Sequence, residues 1–216
     1  MPAPSIAMLH GVALSAVPLG NSPQAGQKLA AALSKVMGAA CSDFVRDVIV
    51  DSGIPCAVTS PAMMGNVVGI GRLSGTCPPE ALIRMNATSI ISSSGMTRHG
   101  QGIFVDIVTK ITSKGLSEFM ASAQLLPGTA IANGITATPG KLTVPIQAIN
   151  TQLDMLAQSM LPRPGAGPAV SELPPDFPKI VAKLMKAALE QMMQMIIVAA
   201  GVPVAGSVTA AHARLT

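Results

Sequence analysis

Apolar residues recur at three- and four-residue steps in three parts of the chain. The first set is Leu29, Leu33, Val36, Met37, Ala40, Phe44, Val48 and Ile49, with Lys28, Lys35, Asp43, Arg46, Asp47 and Asp51 mostly falling elsewhere around the turn. Ser22 offers an N-cap hydroxyl, Pro23 suits the first helical position, and Ser52-Gly53 supplies a stop, so one long helix is expected over 22–53. Pro145 opens a second helix, over 145–161, with Ile146, Ile149, Leu153, Leu156 and Met160 as its stripe. The third spans 177–200 between Asp176 and Gly201. It places Ile180, Val181, Leu184, Leu189, Met192, Met193, Ile196 and Ile197 opposite Lys179, Lys183, Lys186 and Glu190, and is charge-free beyond Glu190.

From 54 to 144 the pattern changes to short apolar runs broken by Gly, Pro, Ser and Thr. Alternation at Ile103, Val105, Ile107 and Ile111 against Asp106 and Lys110 predicts a strand over 102–112. Further strands are expected at 56–60, 66–73, 87–92 and 129–138, with one short helix within 115–126. The fold class is therefore α+β: a Gly-rich β barrel or sandwich module at about 54–144, flanked by a long N-terminal helix and two C-terminal helices. Residues 1–21 read as an apolar arm, 162–176 as an extended Pro-rich connector, and 177–216 as the last helix with its tail.

Composition turns this outline toward function. Hydrophobic residues make up 49% of the chain, charged residues 11%, and the mean hydropathy is +0.52, whereas a soluble domain carries roughly 25% charged residues. A lone monomer covers its surface poorly with so few charges, and burial against partners or lipid relieves the shortage. The long uncharged runs, 119–140 and 191–211, are interrupted by Gly and Pro, so no transmembrane span is expected. Met1-Pro2-Ala3-Pro4-Ser5 lacks the positive region of a secretory signal, and synthesis in a cytoplasm is expected.

The net charge of +4 and pI near 9.2 come from scattered basic residues, and Phe, four in all, is the only aromatic type, so specific nucleic-acid recognition is not expected. Lys179, Lys183 and Lys186 read as a solvated helix face.

Chemical motifs are sparse. Cys41, Cys56 and Cys77 match no CxxC or zinc spacing and are expected to stay reduced; His10, His99 and His212 are isolated from carboxylates. The glycine series from Gly65 to Gly75 is followed by Pro78-Pro79 where a phosphate-binding loop needs a helix, so close backbone approach is the expectation. Ser92-Ser93-Ser94 and His99 share one turn, with Asp106 the only nearby acid; hydroxyls capping backbone groups are expected there. No catalytic, cofactor-binding or metal-ligating residue is assigned, and no small-molecule substrate is expected.

The resulting expectation is a non-enzymatic structural subunit of a larger assembly, of the phage or virion particle kind (tail, baseplate or neck), contacting copies of itself and other structural subunits. Met8, Leu9, Leu125, Ile131, Met192, Met193, Ile196 and Ile197 are the subunit-contact candidates, and charge is thinnest over 1–27, 119–140 and 191–211. A membrane-docked protein inserting its C-terminal apolar helix is the alternative, followed by an enzyme with dispersed catalytic residues.

Overall fold

The computed structural model describes residues 3–17, 23–60, 62–162 and 173–216. Among them, two helices and four short strands occur in the same order three times. α1 (Ile6–Ala16) and α2 (Pro23–Asp47) lead into β1 (Val48–Val50), β2 (Cys56–Thr59), β3 (Met64–Val67) and β4 (Gly71–Gly75). α3 (Glu80–Ile91) and α4 (Arg98–Ser122) lead into β5 (Gln124–Leu125), β6 (Ala130–Ala132), β7 (Ile135–Thr136) and β8 (Gly140–Thr143). α5 (Ile146–Ser159) and α6 (Phe177–Met195) lead into β9 (Ile197–Val198), β10 (Val204–Ala205), β11 (Val208–Thr209) and β12 (Ala213–Arg214).

The pairing register makes the repetition explicit. Within the hairpins Val50 opposes Leu73, Leu125 opposes Leu142, and Val198 opposes Leu215. Between hairpins Gly71 opposes Leu125, Gly140 opposes Val198, and Ala213 opposes Val50. Nearer the tips Cys56 opposes Val67, Ile131 opposes Thr136, and Val204 opposes Thr209. Three bent hairpins therefore stand around one pseudo-threefold axis as a nearly closed antiparallel barrel. Its ring β12-β1-β4-β5-β8-β9 is sealed by Ile197 and Thr216. Its far ring β2-β3-β6-β7 continues through the β10-β11 hairpin by the Ile135–Pro203 and Pro55–Val208 bridges.

Each hairpin bends at the same point. Gly53, Gly128 and Gly201 hold φ of 80°, 107° and 86°, a left-handed backbone that glycine adopts without Cβ strain. Their N–H groups donate to Thr209, Val67 and Thr136 carbonyls, the equivalent acceptor in each neighbouring hairpin.

The helices obey the same symmetry. Each short helix packs on the long helix that follows it and on another long helix: α1 on α2 and α6, α3 on α4 and α2, α5 on α6 and α4. Each buries an i, i+4, i+8 row: Leu9-Ala13-Val17, Ile83-Ala87-Ile91 and Ile149-Leu153-Ala157. The long helices contact one another in the centre and run directly into the barrel. Counting back from the barrel, equivalent positions carry Phe44, Phe119 and Met192; Cys41, Leu116 and Leu189; Leu33, Val108 and Val181, all fully or almost fully buried. Phe44 and Phe119 meet edge to face with centroids 5.8 Å apart.

The expected α+β class with a barrel stands, and its parts are redistributed. The barrel is not confined to 54–144: its strands come from 48–75, 124–143 and 197–214. The first helix ends at Asp47 because Val48-Ile49-Val50, a β-branched run, enters the sheet. Residues 87–92 and 102–112, expected as strands, lie in or at the end of α3 and within α4, and the helix expected within 115–126 is the last part of α4. Phe104, Val108, Ile111, Gly115 and Phe119 recur at helical steps and are buried, so packing overrides the β propensity of that run.

Residues 6–16 form α1, started by the Ser5 hydroxyl accepting from Met8 N–H, in place of an arm. The last helix stops at Met195, not Ala200, and Asp176 makes no side-chain cap bond. Gly201 and Gly53 are strand bends, not helix caps, and the tail expected after 200 is a barrel hairpin. Most of the expected connector, 163–172, lies outside the described residues.

Candidate assembly surface

The barrel interior is filled. Val50, Leu73, Leu125, Leu142, Val198 and Leu215 point inward, and the space left among them and their neighbours is about 20 Å³, room for one water at most. Thr136 and Thr209 fold their hydroxyls onto the backbone, accepting from Val202 N–H at 2.9 Å and Ile54 N–H at 3.0 Å. The barrel interior thus leaves no space for a ligand larger than a water.

The outside of the barrel is divided by charge. Between Asp51 and Arg72, between Glu118 and Lys141, and between Glu190 and Arg214 there is no Asp, Glu, Lys or Arg. These stretches contain the distal halves of the three hairpins, and two of them begin in the last turns of α4 and α6, so the tip of the barrel is uncharged on all three sides. It exposes Met64, Val68, Ile135 and Val208, with Met64 53% accessible, while Ile70 and Leu126 stand exposed nearer the level of Arg72 and Lys141. The tip of the middle hairpin is the two-residue turn Asn133-Gly134, both residues at positive φ.

Below the tip, Arg72, Lys141 and Arg214 occupy one equivalent position, outward-facing and exposed, each beside an inward Leu. None forms an ion pair with a carboxylate among the described residues. Next to Arg214 an open groove of about 590 Å³ is lined by Val45, Arg46, Met195, Ile197, Leu215 and Thr216. Arg46 is held at its edge by Asp43 at 2.9 Å and Asp47 at 2.8 Å, and this hydrogen bonding keeps the Asp47 carboxyl below the usual carboxylate range.

The sequence-derived contact candidates divide. Leu9, Leu125, Ile131, Met192 and Ile196 are at most 5% exposed and pack inside this chain, so they present no surface to a partner in this fold. Met8 and Met193 are half-buried against the same core, and Ile197 is exposed on the groove. Two of the charge-poor stretches that contain them, 119–140 and 191–211, cover two of the hairpin tips. The third tip, 52–71, and the basic triplet went unnoticed. Their signal stands in the sequence as Gly71-Arg72-Leu73-Ser74, Gly140-Lys141-Leu142-Thr143 and Ala213-Arg214-Leu215-Thr216.

The other motifs resolve into structural roles. Ser92 and Ser93 hydroxyls donate to backbone carbonyls, Ser94 accepts from Met96 N–H, Thr97 caps α4 by accepting from Gly100 N–H, and Asp106 pairs with Arg84 at 2.7 Å. Gly65 and Gly69 mark close approaches to Ala57 and Pro55. Cys41, Cys56 and Cys77 are free thiols, and burial pushes Cys41 up to about 12. Among the described residues no group of three His, Cys, Asp or Glu is placed to hold a metal, and no helix is long and apolar enough to cross a membrane.

Comparison with protein-family models, with curated proteins and with solved structures found no match to this chain.

Proposed function

We propose that the protein is a non-enzymatic structural subunit of a larger assembly, of the phage or virion particle kind, joined to its neighbours through the uncharged end of the barrel. The observation that carries this reading is that no charge falls on any of the three hairpin tips, where Met64, Ile135 and Val208 stand exposed around one axis. Such a patch is costly in water and is stabilised by burial, at about 25 cal/mol per Å² of apolar surface covered. The segments that a membrane-docked protein would insert are otherwise engaged: Met192, Val198, Val202 and Val204 lie in the core, and α1 packs on α2 and α6.

Velocity sedimentation of detergent-free extract from cells that make the protein tests the proposal. The chain is expected in a fast-sedimenting particle. Recovery solely at the 21.8 kDa of one chain overturns it, and flotation with added liposomes replaces it by the membrane alternative.

A further inference from the structure

The three hairpins share one backbone plan below the tip, and the first runs six residues further, from Cys56 to Val67, than the others do from Ile131 to Thr136 and from Val204 to Thr209. The registers of all three hairpins agree, the bends fall at Gly53, Gly128 and Gly201, and no charge occurs on any distal half. A contact that suits one hairpin is available to all three in a single docking geometry only when the partner repeats its own surface about the same axis. An asymmetric partner engages one hairpin in this way and leaves the other two in water.

The basic triplet carries the same implication independently. Packing requires the inward Leu73, Leu142 and Leu215 and makes no demand on the outward neighbour, yet that neighbour is Arg72, Lys141 or Arg214 in every repeat. The residues opposite them, Gln124, Ile197 and Ile49, are all uncharged and supply no counter-charge. Three cations without carboxylate partners among the described residues match three acidic groups set around a threefold axis. Six residues of extended chain separate the triplet from the Asn66, Ile135 and Val208 row, a depth of about 20 Å.

We infer that the partner is a homotrimer with threefold symmetry, coaxial with this barrel and bound as one copy of this chain to three of the partner. Its axial socket has an uncharged, apolar floor for the hairpin tips and three acidic side chains at the rim facing Arg72, Lys141 and Arg214. This rests on the structural-subunit reading and adds the partner's symmetry, charge and stoichiometry.

Native mass spectrometry of the complex, recovered from producing cells through a tag at the N-terminal end so that the β12 seam stays intact, gives the ratio directly. One 21.8 kDa chain with three copies of a single partner is expected. A complex of any other ratio overturns the inference and leaves the structural reading in place; the chain recovered alone overturns both. Arg72→Glu, Lys141→Glu and Arg214→Glu, each checked for an unchanged melting temperature, are expected to weaken the complex by factors within about threefold of one another. Loss confined to one of the three positions also overturns the threefold partner.

Discussion

Ile197 and Thr216 exchange two backbone hydrogen bonds, at 3.0 and 2.9 Å, and so join the last hairpin to itself at the point where the barrel ring is completed. Removing residues 213–216 deletes β12 and leaves β1 and β9 with unpaired edges. Loss of a single cooperative urea transition is the expected outcome, and a truncated chain that unfolds like the intact one would show that closure is dispensable.

Leu73, Leu142 and Leu215 fill equivalent sites at 7%, 8% and 7% exposure. Leu73→Ala, Leu142→Ala and Leu215→Ala should each cost about 2–4 kcal/mol, with the three values close together. Urea denaturation of the three variants checks this, and one value near zero would break the equivalence of the hairpins.

Two glycines predict opposite outcomes. A Cβ on Gly65 would lie 1.8 Å from the Ala57 carbonyl oxygen, a backbone atom that cannot move without breaking the β2–β3 pairing. Gly65→Ala is expected to cost upward of about 3 kcal/mol. On Gly102, inside α4, a Cβ meets nothing within 4 Å, so Gly102→Ala should stabilise by about 0.5–1 kcal/mol. Thermal melts of both variants decide it.

Thr109 and Thr112 are fully buried in α4, and their hydroxyl oxygens have no hydrogen-bond partner. Ala182 and Met185 occupy the equivalent positions of α6. Thr109→Val keeps the shape and removes the unpaired hydroxyl, with an expected gain of about 1 kcal/mol. A loss of similar size in urea denaturation would mean that the hydroxyl is bonded.

Burial raises the Cys41 thiol from 9.0 to about 12. The folded state therefore holds this proton where the unfolded chain has released it. Its contribution is fully present below pH 9 and falls by about 1.4 kcal/mol per unit as pH rises toward 12. In Cys41→Ala that part of the alkaline loss should disappear, as read from urea midpoints at pH 8 and pH 10.5. Alkylation of the native protein at pH 8 should reach half-buried Cys77 before Cys41.

The helix stripes were legible because 3.6-residue periodicity survives any change of neighbour. Leu29 to Phe44 and Ile149 to Leu156 declare their faces without reference to the rest of the chain. Residues 102–112 misled because Ile103, Val105 and Ile107 are β-branched and alternate; only the core formed with Phe44 and Phe177 settles them as helix. The tail 196–216 hid its strands because each is short and makes sense only beside its counterparts 48–75 and 123–143. Low charge pointed to partner contacts but not to residues, since burial of Leu125 or Ile131 depends on which way the barrel closes. The repeated basic-Leu-hydroxyl triplet was visible in one dimension, and its meaning came from the register that places the three copies on one ring.

Pro4, Val144 and Pro78 are the buried residues that precede the short helices, and two of them follow a finished hairpin within a few positions. The same repetition sets the end of β12 at the level where β4 and β8 end, from which the chain leads into a short helix. Opening this fold before α3 or before α5, with β12 linked on to α1, is therefore expected to preserve the barrel. The order in which the three units follow one another is thus incidental to the fold, which repeats one α-α-hairpin unit three times.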